Sequence, residues 1–403
     1  MFQKELSGFF ESYLEKTSLF KEKKALQSSF MPENVSHRDK QISQIANILA
    51  PSLRQERPSN LFIYGKPGVG KTLTVRYVTH QIEKTAYERH IPLSVFYINC
   101  KLKKTADTEY RLVAQLARET GKSIPVTGLP TDEVYSIFFK SIDEEKRVVI
   151  LILDEIDQLV KKSGDGILYN LTRVNEGLKN SQLVTIGISN DLMFMDQIDP
   201  RVRSSLSEEE IVFPPYNAFQ IQEILRQRSN LSFHQNVIGP GVIEKCSAYA
   251  AREHGDARRA LELLRVAGEI AERNNQTSVS LHHIDEAEEK IERDKVVDIL
   301  VVQPKQSQAV LYASLCLLPK RNDSLFTGEI YEQYKKICIR TGLRPLTQRR
   351  ISGVIAELDM LGIINAKVVS KGRYGRTREI SLNLPYGTIP RVKHLLEEGL
   401  DLS

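Results

Sequence analysis

The 403 residues, 41% apolar and 27% charged, suffice for about two or three separately cored domains, and no apolar run approaches the roughly twenty residues of a membrane span. Cys100, Cys246, Cys316 and Cys338 stand too far apart for zinc or redox pairs, which leaves buried thiols in a reducing compartment. The net charge of +5 is unevenly shared: residues 301–403 hold 16 Lys/Arg against 9 Asp/Glu, a net +7, and the first 300 carry −2, an asymmetry that points to a polyanion surface near the C-terminus.

Residues 1–30 read as a charged helical leader whose apolar stripe (Leu6, Phe9, Phe10, Tyr13, Leu14) is expected to dock on the body. The start, Met1-Phe2-Gln3-Lys4-Glu5, lacks the regions of a secretory signal, so a cytoplasmic chain is expected. Short, partly β-branched stretches at 61–64, 93–98, 148–153, 183–188 and 211–213 then alternate with helical patterns. That rhythm belongs to a parallel sheet with helices on both faces.

The first of these stretches runs into Gly65-Lys66-Pro67-Gly68-Val69-Gly70-Lys71-Thr72, followed by Leu73 and a helical pattern to Ile82. The pattern G-x-x-x-x-G-K-[ST] sits between strand and helix, where its glycines let backbone N–H groups curl around phosphates at a helix N-terminus. Lys71 then reaches the β/γ-phosphates and Thr72 ligates Mg²⁺. The stretch 148–153 delivers Asp154 and Glu155 at the carboxyl edge of the sheet. Asp154 suits the Mg²⁺ water shell, and Glu155 suits polarising an attacking water.

Residues 164–180 add a helical segment, Ile167-Leu168-Tyr169-Asn170-Leu171-Thr172-Arg173-Val174, whose Leu168, Leu171 and Val174 fit a sheet-covering face. Stretch 183–188 ends in Ser189-Asn190, where Asn190 either bonds the γ-phosphate or lytic water or only caps a following helix. Asp199-Pro200-Arg201-Val202-Arg203-Ser204 opens a short helix with two arginines suited to phosphoryl-transfer charge, in cis or from a neighbouring subunit.

From Asn217 the periodicity is helical, at 217–230, 240–252, 256–273 and 281–293. Asn217, Asp256 and Ser280 stand near three starts and Pro240 in a first turn. Arg258, in the first turn after Gly255-Asp256-Ala257, is placed to reach the nucleotide and report it to this helical lid.

The last hundred residues change again: helices at about 305–318, 326–341 and 347–361, a strand at 363–369, the turn Ser370-Lys371-Gly372-Arg373-Tyr374-Gly375, and a strand from Arg376 to Leu382. This is the order of a winged helix. Ile351, Val354, Ile355, Leu358 and Leu361 share one face of helix 347–361, while Thr347, Gln348, Arg349, Arg350 and Ser352 crowd its N-terminal turns, where recognition helices meet base edges. The turn, with Lys371, Gly372, Arg373, Tyr374 and Arg376, suits phosphate or minor-groove contact. The expected fold is an α/β AAA+ ATPase domain (31–216) after the leader, an all-helical lid (217–298) and a C-terminal winged helix (299–403).

Phosphate loop, Asp-Glu strand, polar strand end, arginine helix and Gly-Asp-x-Arg lid in this order resemble the AAA+ ATPases. Pro32-Glu33-Asn34-Val35-Ser36-His37-Arg38-Asp39, Ser205-Leu206-Ser207-Glu208-Glu209-Glu210, Phe213-Pro214-Pro215-Tyr216 and Arg252-Glu253-His254-Gly255-Asp256-Ala257-Arg258-Arg259-Ala260-Leu261 are similar to the archaeal replication-initiator family, the origin-recognition and cell-division-control type. So are Thr347-Gln348-Arg349-Arg350-Ile351-Ser352 and Gly372-Arg373-Tyr374-Gly375-Arg376.

The resemblance implies that residues 32–39 lie over adenine, that Tyr216 and Arg228 join the nucleotide site, and that Arg201 is the preferred arginine finger with Arg203 the alternative. It implies DNA contacts at Tyr169, Arg173 and Lys179 on the added helix. It further implies ATP or ADP with Mg, slow hydrolysis with ATP as a latch, double-stranded origin DNA, a minichromosome-maintenance-type replicative helicase and paralogous initiator subunits as partners, and a nucleoid-associated place in the cytoplasm. Other readings are an ATP-regulated DNA-binding paralogue acting as repressor or regulator, an AAA+ DNA motor, and a signalling ATPase whose winged helix binds protein.

Overall fold

The computed structural model describes residues 17–101, 108–125, 128–206, 208–253, 255–317, 325–370, 376–384 and 388–402. The chain divides into two compact units, Met1–Ile284 and Asp285–Ser403. Among the described residues no helix is long and apolar enough to cross a membrane. The apolar stripe expected in the leader lies outside the described residues.

In the first unit the strands are β1 (Leu61–Tyr64), β2 (Leu93–Asn99), β3 (Val148–Asp154), β4 (Gln182–Ser189) and β5 (Glu209–Val212), all parallel in the order β2-β3-β4-β1-β5. The alternation of β3 explains the layers. Val149, Leu151 and Leu153 point into one core, with Leu112, Phe138 and Leu168 from the helices on that side. Val148, Ile150 and Ile152 point into the other, with Ile45, Val75 and Val78. A strand buried on both faces must be apolar at every position until it emerges, and β3 emerges at Asp154. Helix Lys71–Glu88 follows β1 directly, so the phosphate loop lies at the carboxyl edge beside the ends of β3 and β4.

The lid comprises helices Ala218–Ser232, Val242–Arg252 and Ala257–Arg273 and the start of Leu281–Val301. Asn217 forms a capping box with Gln220, and Asp256 accepts from the N–H groups of Arg258 and Arg259. Pro240 is not in a first helical turn: Gly241, at φ 78°, is the N-cap and the helix begins at Val242. The helix expected over 281–293 continues to Val301, and the division between units falls inside it.

The described part of the leader is a strap on the lid rather than a helix, with one 3₁₀ turn at Lys23–Leu26. The Phe20 and Phe233 rings lie 4.6 Å apart, and the N–H groups of Lys21 and Glu22 donate to Ser232 O. The strap needs a glycine beneath it, since a Cβ on Gly268 would lie 2.5 Å from Phe20 Cζ and 2.9 Å from Phe233 Cε1.

The second unit is built from helices Lys305–Leu317, Thr327–Thr341 and Gln348–Met360, then strands β7 (Ile364–Ser370) and β8 (Arg376–Leu382). A two-residue strand, β6 (Leu325–Phe326), pairs with β8 to give an antiparallel sheet in the order β6-β8-β7. Helix Ile389–Gly399, not expected from the sequence, is tied to Lys305–Leu317 by Tyr312 OH donating to Glu397 at 2.8 Å. Ile351, Val354, Ile355 and Leu358 are buried as their spacing requires, whereas Leu361, expected on the same face, is the C-cap and exposed.

Gly268→Val is expected to lower unfolding stability by about 1–3 kcal/mol through overpacking against Phe20 and Phe233, measured by urea denaturation.

Candidate nucleotide site and nucleic-acid interface

The phosphate loop is shaped by what touches it. Gly68 (φ 73°) and Gly70 (φ 87°) are left-handed, and a Cβ on them would meet Asp256 Oδ1 at 1.7 Å and the Tyr216 hydroxyl at 2.7 Å. Both glycines are therefore required by conformation and by space. Val69 is buried beneath the loop and Pro67 is exposed. Lys71 Nζ donates to Gly65 O at 2.6 Å, Lys66 O at 2.8 Å and Asn190 Oδ1 at 2.8 Å. Burial, then the charge of Arg258, push the Lys71 pKa down to about 8 against the pull of Asp154, Asp157 and Glu155.

Three donors hold the Asp154 carboxylate. Thr72 Oγ1 and Tyr97 OH donate to Oδ2 at 2.9 and 2.8 Å, and the Glu155 N–H donates to Oδ1 at 3.0 Å. Thr72 and Asp154 form an all-oxygen pair, which fits a hard divalent cation such as Mg²⁺. Glu155 itself is left-handed at φ 55°, and its side chain lies 3.7 Å from Lys101 Nζ. Asn190 faces the loop through Lys71, while Asp191 takes the local turn N–H, from Met193 at 3.0 Å. Asp157, unanticipated from the sequence, is buried and accepts from Ser189 Oγ at 3.1 Å.

Beside the loop lies a cavity of about 620 Å³ whose lining includes Gly68, Gly70, Thr72, Leu73, Arg76, residues 30–36, Tyr216, Arg228, Arg258 and Leu261. Its volume falls in the range of small-molecule sites. Arg38, which the sequence places only in the segment over adenine, is outside that lining and packs behind Tyr216, which belongs to it. At 2% exposure its Nε donates to Val69 O at 3.0 Å, its Nη2 to Pro214 O at 2.8 Å, and its guanidinium lies 3.8 Å from the Tyr216 ring centroid. Burial lowers its pKa.

Arg228 lines the cavity, but its guanidinium donates to Ala25 O and Phe30 O and stacks on Phe30 at 4.6 Å. Arg201 is exposed and outside the cavity lining, and Arg203 pairs with Asp196 at 3.1 Å. Neither candidate finger is brought to this chain's own cavity.

In helix Gly166–Arg173, Ile167, Leu168, Leu171 and Thr172 are buried, as is Val174 in the 3₁₀ turn that follows. The Arg173 guanidinium lies 4.8 Å from the Tyr169 ring centroid, and the Lys179 N–H groups onto Asp143 with its neighbours. The segment thus covers the sheet, with Tyr169 partly buried against that core and Arg173 exposed over its ring.

In the winged helix Thr347 caps helix Gln348–Met360 by accepting from the Arg350 N–H at 3.4 Å, and Gln348, Arg349 and Arg350 are exposed. Arg378 Nη1 donates to Ser352 O at 2.8 Å, which pins β8 to this helix. Between them is an open cleft of about 370 Å³ lined by Gln348, Arg349, Ser352, Thr377 and Arg378 among others. Lys371, Gly372, Arg373 and Tyr374 lie outside the described residues, as does the Arg376 side chain.

Comparison with known proteins matches residues 61–215 to the AAA family (ATPases associated with various cellular activities), 222–289 to the Cdc6 AAA+ ATPase-type lid domain and 300–391 to the CDC6 C-terminal winged-helix domain. An ORC1-type DNA replication protein of Thermococcus onnurineus is 50% identical over 405 residues, covering 99% of this chain and 97% of the relative. The chain belongs to the ORC1-type DNA replication protein family. A second member, ORC1-type DNA replication protein 1 of Methanosarcina mazei, is 50% identical with 98% and 94% covered.

The structure of the Aeropyrum pernix ORC1 protein in complex with DNA is 41% identical, with a TM-score of 0.83 over 95% of this chain and 98% of that one. CDC6P of Pyrobaculum aerophilum, 20% identical with a TM-score of 0.59 over 96% of this chain and 99% of that one, shares the fold. Within this ORC1-type chain, the residues sequence reasoning missed are Arg38, Tyr97 and Asp157. The apolar face of Lys71–Glu88 next to β2 is the one signal for Tyr97; nothing local marks the other two.

Lys71 supplies a pH test in the nucleotide-free protein. Its pKa of about 8 lies below the ordinary 10.5, so between these values the unfolded chain holds a proton the folded chain lacks. Stability is therefore expected to rise with pH across that window. ADP affinity is expected to fall there, by up to about tenfold per pH unit, because phosphate requires the charged amine; titration calorimetry in buffers of different ionisation enthalpy reads the proton uptake.

Proposed function

We propose that this chain is an ATP-switched replication initiator that binds double-stranded origin DNA. One observation carries the reading: a phosphate loop under a lid and a basic winged helix stand in one chain that is 41% identical to an ORC1 protein described in complex with DNA. The loop N–H groups of 65–72 cradle phosphates, and Lys71 turns from Gly65 O and Lys66 O to the β/γ-oxygens. Thr72 and Asp154 hold magnesium, which supplies charge neutralisation at the phosphates. Glu155 and Asn190 orient water at the γ-phosphate.

The lid helix is in contact with the loop, with the Ala257 N–H 3.3 Å from Gly68 O and Arg258 facing the cavity. A γ-phosphate attracts Arg258 and the helix N-terminus, and its loss releases them. Occupancy thus sets the lid, and turnover is slow. Arg201, exposed and away from the cavity, acts on a neighbouring copy's nucleotide, which assigns paralogous or identical subunits as partners. On DNA, the N-terminal turns of Gln348–Met360 read base edges while the turn after β7 and the pair Tyr169 and Arg173 contact the backbone. A DNA-bound, ATP-set platform of this kind recruits a minichromosome-maintenance-type helicase at the nucleoid.

Footprinting of genomic DNA with ATP and with ADP tests the reading: nucleotide-dependent protection at discrete sites is expected, and its absence, or rapid DNA-stimulated hydrolysis by rings, favours a motor instead. Lys71→Ala is expected to abolish ATP binding by calorimetry. Arg349→Glu is expected to weaken DNA binding and reduce the slope of log K against log salt by at least about one, read by fluorescence anisotropy from low to high salt.

A further inference from the structure

Tyr97 stands where sheet register and helix packing converge on the metal-binding carboxylate. Asn99 is the Cα partner of Asp154 across β2 and β3, so Tyr97, two residues earlier, lies on the same sheet face as Asp154. Its hydroxyl donates to Asp154 Oδ2 at 2.8 Å, the oxygen that also accepts from Thr72 Oγ1 at 2.9 Å. Oδ1 is turned the other way by the Glu155 N–H. Removing the phenol leaves Oδ2 with Thr72 alone and Oδ1 with the Glu155 N–H, so the carboxylate loses one of its three donors.

The ring is itself held. Arg76, one helical turn after Thr72, places its guanidinium 5.1 Å from the Tyr97 ring centroid and also lines the nucleotide cavity.

We infer that Tyr97 is a positioning residue of the nucleotide site, fixing the Asp154 carboxylate in the orientation that binds a divalent cation. This rests on the reading that residues 65–72 and Asp154 bind a magnesium nucleotide. Thr72 and the Glu155 N–H both approach from residues of the site itself; the phenol adds a third donor from β2, the neighbouring strand. Donors behind metal ligands typically change metal affinity by about 10–100-fold when removed.

The experiment uses full-length protein and ATP, with calorimetric affinity measured in MgCl₂ and in EDTA, and the ratio taken as the magnesium contribution. Tyr97→Phe keeps the ring and its stacking under Arg76. Its ratio is expected to fall about tenfold, with affinity in EDTA and the melting temperature unchanged. Mn²⁺ added with ADP and followed by electron paramagnetic resonance is expected to show weaker metal retention in the variant. A wild-type protein that does not bind ATP overturns the site reading itself. A wild type with a magnesium-dependent affinity and a variant with the same ratio and the same Mn²⁺ retention overturn the role of Tyr97 alone.

Discussion

A buried guanidinium holds this nucleotide site together. Arg38 is 2% exposed and carries its charge into the body of the first unit. An ion taken out of water is costly unless its donors are met and its charge is compensated. Here Val69 O and Pro214 O accept from it, and the Tyr216 and Phe213 rings face it at 3.8 and 5.5 Å. The partners belong to two segments, the phosphate loop and the connection from β5 to the lid, and Arg38 itself comes from a third, the segment after the strap. One side chain therefore sets the distance between the loop that receives phosphate and the hinge that carries the lid. An apolar replacement would fill the space but leave the buried Val69 carbonyl without this donor.

The same loop is met from the other side by the lid. Asp256 caps helix Ala257–Arg273 and packs on Gly68, and the next N–H reaches Gly68 O. A carboxylate close to a phosphate-binding loop opposes phosphate charge, while Arg258, two residues on, favours it. On the proposed function, these opposite signs would make lid position responsive to how many phosphates occupy the loop. A lid held by apolar burial alone would lack that response. Its apolar contacts to the strap, through Phe20, Phe233 and Gly268, anchor the outer side of the lid and leave the inner edge to electrostatics.

The parallel sheet was legible because β3 must be apolar on both faces, and its first polar residue, Asp154, marks the edge where ligands bind. Loop, acids and Asn190 followed from that edge. Tyr97 was hidden because its contact with Asp154 spans 57 residues and depends on the register of β2 against β3, which periodicity does not encode. Arg38 was hidden for a similar reason: an arginine beside Asp39 reads as a solvated helix start, and its acceptors lie 31 and 176 residues away. Over the described end of the leader, residues 17–30, the helical reading fails because Phe20 seats against Phe233 and Gly268, a contact that the leader's own sequence does not encode. Helix Ile389–Gly399 escaped because the Pro390 at its start reads as a break, although proline is well placed in a first turn.

Charge is deployed differently in the two units. In the lid three arginines are paired with acids: Arg226 with Glu244, the buried Arg259 with Glu253, and the half-buried Arg265 with Glu269. Each pairing cancels the field of its cation, and the exposed one, Arg226 with Glu244, adds little stability. In the winged helix Arg349 and Arg350 are exposed at the N-terminal turn of Gln348–Met360 and form no ion pair among the described residues. Unpaired cations on a face with net +7 behind it keep a counter-ion atmosphere that a polyanion can displace, and that release is what drives association. A paired surface has no such free energy to give. The first 300 residues, at −2, add little long-range pull of their own. Attraction to a polyanion is thus concentrated in residues 301–403, whatever the nucleotide.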